Sequence, residues 1–282
     1  MNLNGRRQSS NYEDRRGKGG KMAGLGIGGA IIVGLIALLM GGNPGDVIQQ
    51  LSEQTASTEA YTPTAEEEQL KTFALQILAS TEDVWTAQFK RIGRTYRAPK
   101  LVIYTGSVQS GCGNATSAVG PFYCSADECV YLDLDFFNEM PRSLGAGGDF
   151  AYAYVIAHEV GHHVEHLLGI LDQAHGQMAR QNEVDKNQTS VRIELLADYY
   201  AGVWGYHENR MFGSLEDGDL QEAIDAAQKI GDDYLQRKAR GQAVPESFTH
   251  GTSAQRMRWL KKGLQTGDLG GGNTFDVSYN SL

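Results

Sequence analysis

Cysteine is scarce in this chain. The three present, Cys112, Cys124 and Cys129, fall within eighteen of the 282 residues. Their spacings fit no zinc finger and no nearby histidine completes one, so a cysteine-based metal site is excluded. A disulfide remains available to a domain in an oxidising compartment. Cys112 and Cys124 each flank a Gly/Pro turn region and are the expected pair. Cys129 is then an odd thiol, expected buried on a strand. Positive charge is also short: the net charge is −9, and because residues 1–21 carry +4 the rest carries −13. An acidic body of this kind excludes nucleic acid as a partner, since phosphate binding needs the opposite sign. No internal repeat is evident.

Residues 22–42, MAGLGIGGAIIVGLIALLMGG, lack charge altogether. About twenty such residues span a bilayer as a helix. No small-x-small cleavage site follows, and the run is longer than the apolar part of a signal peptide, so a retained single span is expected. Its basic flank is N-terminal. The positive-inside rule then leaves residues 1–21 in the cytoplasm and the remainder across the membrane, in the periplasm or at the surface of a bacterial cell. Residues 1–21 are polar, basic and Gly/Ser-rich, and read as a disordered tail. Residues 43–63 read as a linker, 64–267 as the folded domain, and 268–282 as a Gly-rich tail without pattern.

Within the domain, Thr64 with Glu66, Glu67 and Glu68 signals a helix start, and Ser80–Asp83 signals a restart. Leu101–Tyr104, Phe122–Cys124 and Val130–Leu134 read as strands, with a loop from Gly106 to Pro121. Helices are predicted over Asp135–Arg142, Phe150–Leu168, 173–183, Thr189–His207, 216–239 and Thr252–Leu264. A small sheet followed by mostly helix is an α+β layout.

The chemistry concentrates at Ala157-His158-Glu159-Val160-Gly161-His162. Positions four apart share a helix face, so His158 and His162 can offer two imidazoles to one ion. Glu159 lies beside that pair, where it can take a proton from a metal-bound water. Catalytic zinc usually takes a third protein ligand. His163 is off the face, and His166 lies about 12 Å further along the axis. A metzincin would have Gly at 165 and His at 168; here these are Glu165 and Leu168. The better third ligand is Glu194, in Glu194-Leu195-Leu196-Ala197-Asp198, with Asp198 one turn on as acceptor for the second ring nitrogen of a ligand His.

HEVGHHVEH followed by ELLADYYAG resembles the gluzincin metallopeptidases. The run CGNATSAVGPFYCSADECVYLDLDFF with these helices resembles the bacterial neutral zinc metallopeptidase family (YpfJ-like), over nearly the whole chain. The resemblance implies a zincin-like fold, with an antiparallel-edged sheet, and Zn2+ held by His158, His162 and Glu194. It makes Glu159 the general base of peptide hydrolysis, and leaves Cys129 unexplained. Thr249-His250-Gly251-Thr252-Ser253-Ala254-Gln255-Arg256 is similar to a His-Pro…Arg segment of membrane gluzincins such as HtpX, with Gly251 in place of Pro. By that likeness His250 donates to the oxyanion and Arg256 pairs with an acidic residue behind the ligands.

A peptide or protein is the expected substrate, adding along an edge strand near Val130–Leu134. Phe122, Tyr123, Phe136 and Phe137 are candidates to line the cleft, and Tyr199 or Tyr200 a further donor. Two other functions compete. A membrane-tethered zinc-binding scaffold or chaperone-like module would need a closed, four-ligand site. A helical di-iron protein would need a second Glu-x-x-His, which Glu194-Leu195-Leu196-Ala197 does not supply.

Overall fold

The computed structural model describes residues 1–17 and 61–282. The apolar run at 22–42 and most of the 43–63 linker lie outside the described residues. Among those described, no helix is long and apolar enough to cross a membrane.

A four-stranded sheet is ordered β1-β2-β6-β5, from β1 (Tyr12–Asp14), β2 (Lys100–Tyr104), β5 (Phe122–Cys124) and β6 (Cys129–Asp133). β1, β2 and β6 run parallel, while β5 closes one edge antiparallel. Leu101–Tyr104 and all of β6 are buried, as the continuous apolar runs of inner parallel strands require. β6 is therefore an interior strand. The edge beside the motif helix is β5, and the expectation of an edge near Val130–Leu134 is corrected: pairing with β2 on one side and β5 on the other saturates β6.

The segment from Gly106 to Pro121, expected as a loop, contains a second sheet, the hairpin β3 (Ser107–Ser110) and β4 (Gly113–Thr116). Its strands are short and polar, so they carry no alternating apolar signal. A Cys112–Cys124 disulfide ties the hairpin turn to β5, with the Cα atoms 5.8 Å apart. Cys129 is free and buried at the start of β6.

Helices supply the other layer. α1 (Ala65–Arg91) starts at a Thr64/Glu67 capping box and runs unbroken through the expected restart at Ser80. The hydroxyls there are satisfied within the fold: Thr81 donates to the Leu78 carbonyl at 2.7 Å, and Ser80 accepts from Trp204 Nε1 at 2.8 Å. After α2 (Asp135–Glu139) come α3 (Asp149–Leu168), α4 (Ile170–Met178) and α5 (Glu183–Phe212). α5 begins earlier and ends later than the apolar pattern indicated, because Asn182 caps it and Gly213 closes it in the left-handed conformation. The expected helix 216–239 is two, α6 (Asp219–Lys229) and α7 (Asp232–Arg240). They part at Gly231, where a Cβ would lie 2.3 Å from the Ser253 amide. α8 (Ser253–Thr266) is capped by Thr252 and Gln255.

Two glycine contacts set the helix spacing. A Cβ on Gly161 would lie 2.8 Å from the Ala197 carbonyl, and one on Gly263 would lie 2.1 Å from the Tyr199 carbonyl. α3 and α8 thus approach α5 backbone to backbone, one on the motif and one behind it.

Residues 1–17 are not a disordered tail. Leu101 N–H donates to Asn11 O at 3.0 Å, and Arg15 N–H donates to Ile103 O at 2.7 Å, so β1 fills the otherwise open side of β2. Arg6 reaches the fully buried Glu208 at 2.8 Å, and Arg16 pairs with Asp14. Of the arginines that resembled a membrane flank, Arg6, Arg7 and Arg16 answer the domain carboxylates Glu208, Glu82 and Glu68, while Arg15 pairs with neighbouring Glu13, and a backbone ladder compensates the low apolar content. A bilayer cannot divide one sheet, so residues 1–17 and the domain lie on the same side of any membrane, which corrects their expected placement on opposite sides; residues 18–21 of the expected tail lie outside the described residues. Gly17 and Tyr61, on either side of the undescribed stretch, are in contact. Cysteines placed at the exposed positions Asn4 and Asp217 are expected to react with a membrane-impermeant maleimide from the same side in oriented cells and vesicles. Labelling from opposite sides would contradict the shared sheet.

The C-terminal tail is also ordered. Arg192 donates to the carbonyls of Thr274 and Val277, and Tyr199 donates to the Asp268 carbonyl.

Candidate metal centre

α3 and α5 cross at Gly161 and Ala197, which places Glu194, one turn before Ala197, opposite the two histidines. His158 Nε2 lies 3.2 Å from Glu194 Oε2, and His162 Nε2 lies 3.6 Å from Glu194 Oε1. One atom from each of His158, His162 and Glu194 falls within 4.8 Å of the other two.

The second ring nitrogens are already engaged. His158 Nδ1 is 2.9 Å from Asp198 Oδ1, and His162 Nδ1 is 2.9 Å from Glu165 Oε2. With Nδ1–H donated to a carboxylate, Nε2 is the nitrogen of each ring that faces Glu194 and that would supply a lone pair to an ion once it has lost its proton. Two imidazole nitrogens and one carboxylate oxygen, converging and partly buried, are the donor set of a three-ligand zinc site, so the residues fit that ion.

Behind His158, Asp198 is held from several sides. Arg256 Nε and Nη2 both donate to it at 2.8 Å, and Tyr154 donates its hydroxyl at 2.6 Å. Burial pushes the Asp198 carboxyl up, but Arg256 and His158 outweigh it and leave the pKa at about 2. Burial acts to lower the His158 pKa, and Asp198 and Glu194 raise it against that, to about 10. A cation taking Nε2 of His158 at neutral pH would therefore displace a proton.

Glu159 lines the same cleft, 8% exposed, with its pKa raised by burial. His250 lines it as well, on the loop before α8. Its backbone N–H and that of Gly251 donate to Asp232 Oδ2 at 2.7 and 3.0 Å, and its Nδ1 is 3.3 Å from Asp232 Oδ1. Burial acts to lower the His250 pKa, but Glu194 and Asp232 raise it. Asp232 takes that position because the chain breaks at Gly231.

The cleft is about 400 Å³. Phe122, Tyr123 and Phe136 are on its wall, whereas Phe137 is core. Tyr199 and Tyr200 are core residues, away from the cleft lining. His163 faces away, with Nε2 toward the Arg97 carbonyl and Nδ1 on Tyr123, and His166 turns to Glu128 and Asp172. Three residues of the site went unread in the sequence. Glu165 sits three positions after His162, a same-face spacing that was there to be used. Tyr154 sits four before His158, on the same face. Asp232 had no local signal, because only the break at Gly231 brings it to His250.

A His-Glu-x-x-His helix joined by a carboxylate from a second helix, in an α+β body, defines a protein whose His158, His162 and Glu194 converge as a His2Glu donor set that could hold a metal ion. The chain belongs to the family described as "Putative neutral zinc metallopeptidase", whose profile matches residues 1–275. It is 47% identical over 291 aligned residues to the uncharacterised protein YpfJ of Escherichia coli K12, covering 99% of this chain and all of that one. It is 38% identical over 259 residues to the uncharacterised protein Rv2575 of Mycobacterium tuberculosis H37Rv, covering 86% of each. No solved structure matches.

Proposed function

We propose that this chain is a zinc-dependent peptidase of the zincin type, hydrolysing peptide bonds of a protein or peptide bound in extended form. The observation that carries it is the convergence of His158, His162 and Glu194 within 4.8 Å in an open cleft that also holds Glu159. A zinc ion bound there would lower the pKa of a coordinated water and polarise the scissile carbonyl.

The protein's own groups supply the rest. Glu159, made a stronger base by burial, takes a proton from the attacking water and returns it to the leaving amine. His250, with Nδ1 turned to Asp232, has Nε2 left to donate to the oxyanion. Arg256 and Tyr154 hold Asp198, which fixes the His158 ring. Among the described residues β5 pairs with β6 along one side only, and its Phe122 and Tyr123 reach the cleft, so a substrate backbone can add along its other side. We also propose a lipid bilayer as the partner of the apolar run 22–42, with residues 1–17 and the domain on one face of it.

The test is cleavage of an unfolded protein by the purified full-length chain. Cleavage abolished by a chelator and restored by zinc is expected. Zinc uptake without cleavage would leave a zinc-binding module and reject the peptidase.

A further inference from the structure

We propose that Glu165 is the positioning residue for His162. Its carboxylate fixes the imidazole in the tautomer and orientation that aim Nε2 at Glu194. The proposal rests on the metal-centre reading above.

Three observations carry it. Glu165 Oε2 sits 2.9 Å from His162 Nδ1, on the same face of α3. The Glu165 side chain is 0% exposed. Its other oxygen, Oε1, has no hydrogen-bond partner among the described residues. Asp198 makes the contrast: it is equally buried, yet it has Arg256 and Tyr154 as well as His158.

A buried carboxylate with one partner is an expensive way to fill space. Withdrawing such a group from water is unfavourable unless its lone pairs are answered. A leucine or methionine would pack the same volume without that penalty, so packing does not account for an acid here. What the acid supplies and an apolar side chain cannot is an acceptor for Nδ1–H, together with a negative charge that makes Nε2 a better donor to a cation. Each ligand histidine then has its own carboxylate, Asp198 for His158 and Glu165 for His162. The two come from different helices, so the rings are oriented independently.

The test measures zinc affinity of the full-length chain by competition with a chelator, alongside the melting temperature of the metal-free protein, for Glu165→Gln and Glu165→Met. Zinc binding is expected to weaken about 10-fold in the Gln variant and up to about 100-fold in the Met variant. The metal-free melting temperature is expected to equal or exceed that of the parent in the Gln variant, because the buried charge is gone. A structural residue would give a different pattern. Zinc affinity within about twofold of the parent in both variants overturns the proposal. So does a loss of affinity accompanied by a lower metal-free melting temperature in Glu165→Gln. The parent protein separates the two levels. If it takes up no zinc, the metal centre falls and the proposal with it. If it takes up zinc and cleaves nothing, only the peptidase falls, and the affinity comparison still decides the role of Glu165.

Discussion

Replacing Glu159 with Gln is expected to lower peptide cleavage by about 10²- to 10⁴-fold and to leave zinc content unchanged. That magnitude is what one positioned proton-transfer group contributes. Glu159 is not among the three residues whose donor atoms converge, which are His158, His162 and Glu194. Gln keeps the shape and removes the proton acceptor, so metal and substrate are retained while transfer fails. The measurement is a single-turnover cleavage rate beside zinc per chain. An unaltered rate would mean that another group takes the proton. Loss of zinc together with the rate would mean that residue 159 serves the ion rather than the water.

The second large effect is on stability. Arg256→Met leaves Asp198 buried beside His158 with no guanidinium, and is expected to destabilise the fold by about 3–5 kcal/mol. For a chain of this size that is on the order of 10 °C in Tm. The parent Asp198 carboxyl has a depressed pKa of about 2. Its contribution is therefore present above the ordinary carboxylate value and is lost only as pH falls through about 2. Without Arg256, burial dominates and the carboxyl pKa rises, so the variant loses stability at a higher pH than the parent does. Denaturant titrations from pH 7 down to pH 4 test both points. The double variant Asp198→Asn with Arg256→Met is expected to recover part of the loss, since no buried charge is then stranded. Parent-like stability of Arg256→Met across that range would show that the ion pair is not holding the site together.

The candidate site was largely legible before the fold was, for a geometric reason. His158 and His162 lie one turn apart on one helix, and Glu194 and Asp198 repeat that spacing on another, so local periodicity carries the information. What joins the two helices, the approach of Gly161 to Ala197, is non-local, whereas the spacing of Glu165 from His162 is as simple as that of the two histidines. The helices with strong caps, at Thr64 and Thr252, announce their starts in local sequence. The boundary at Gly231 was missed because it is set by contact with Ser253 across the fold. The N-terminal residues misled most. Arg6 and Arg16 look solvated in sequence, and only the buried Glu208 and the pairing of β1 with β2 reveal their role. The β3–β4 hairpin was hidden by polar strands of four residues, while the cysteine pair that pins it was visible.

Zinc per chain in the Glu194→Ala protein, purified beside the parent and measured by elemental analysis, bears most directly on all of this. One ion in the parent and almost none in the variant is the outcome required if His158, His162 and Glu194 grip a single divalent cation. A full complement of zinc in Glu194→Ala would contradict it and send the search for the third ligand elsewhere.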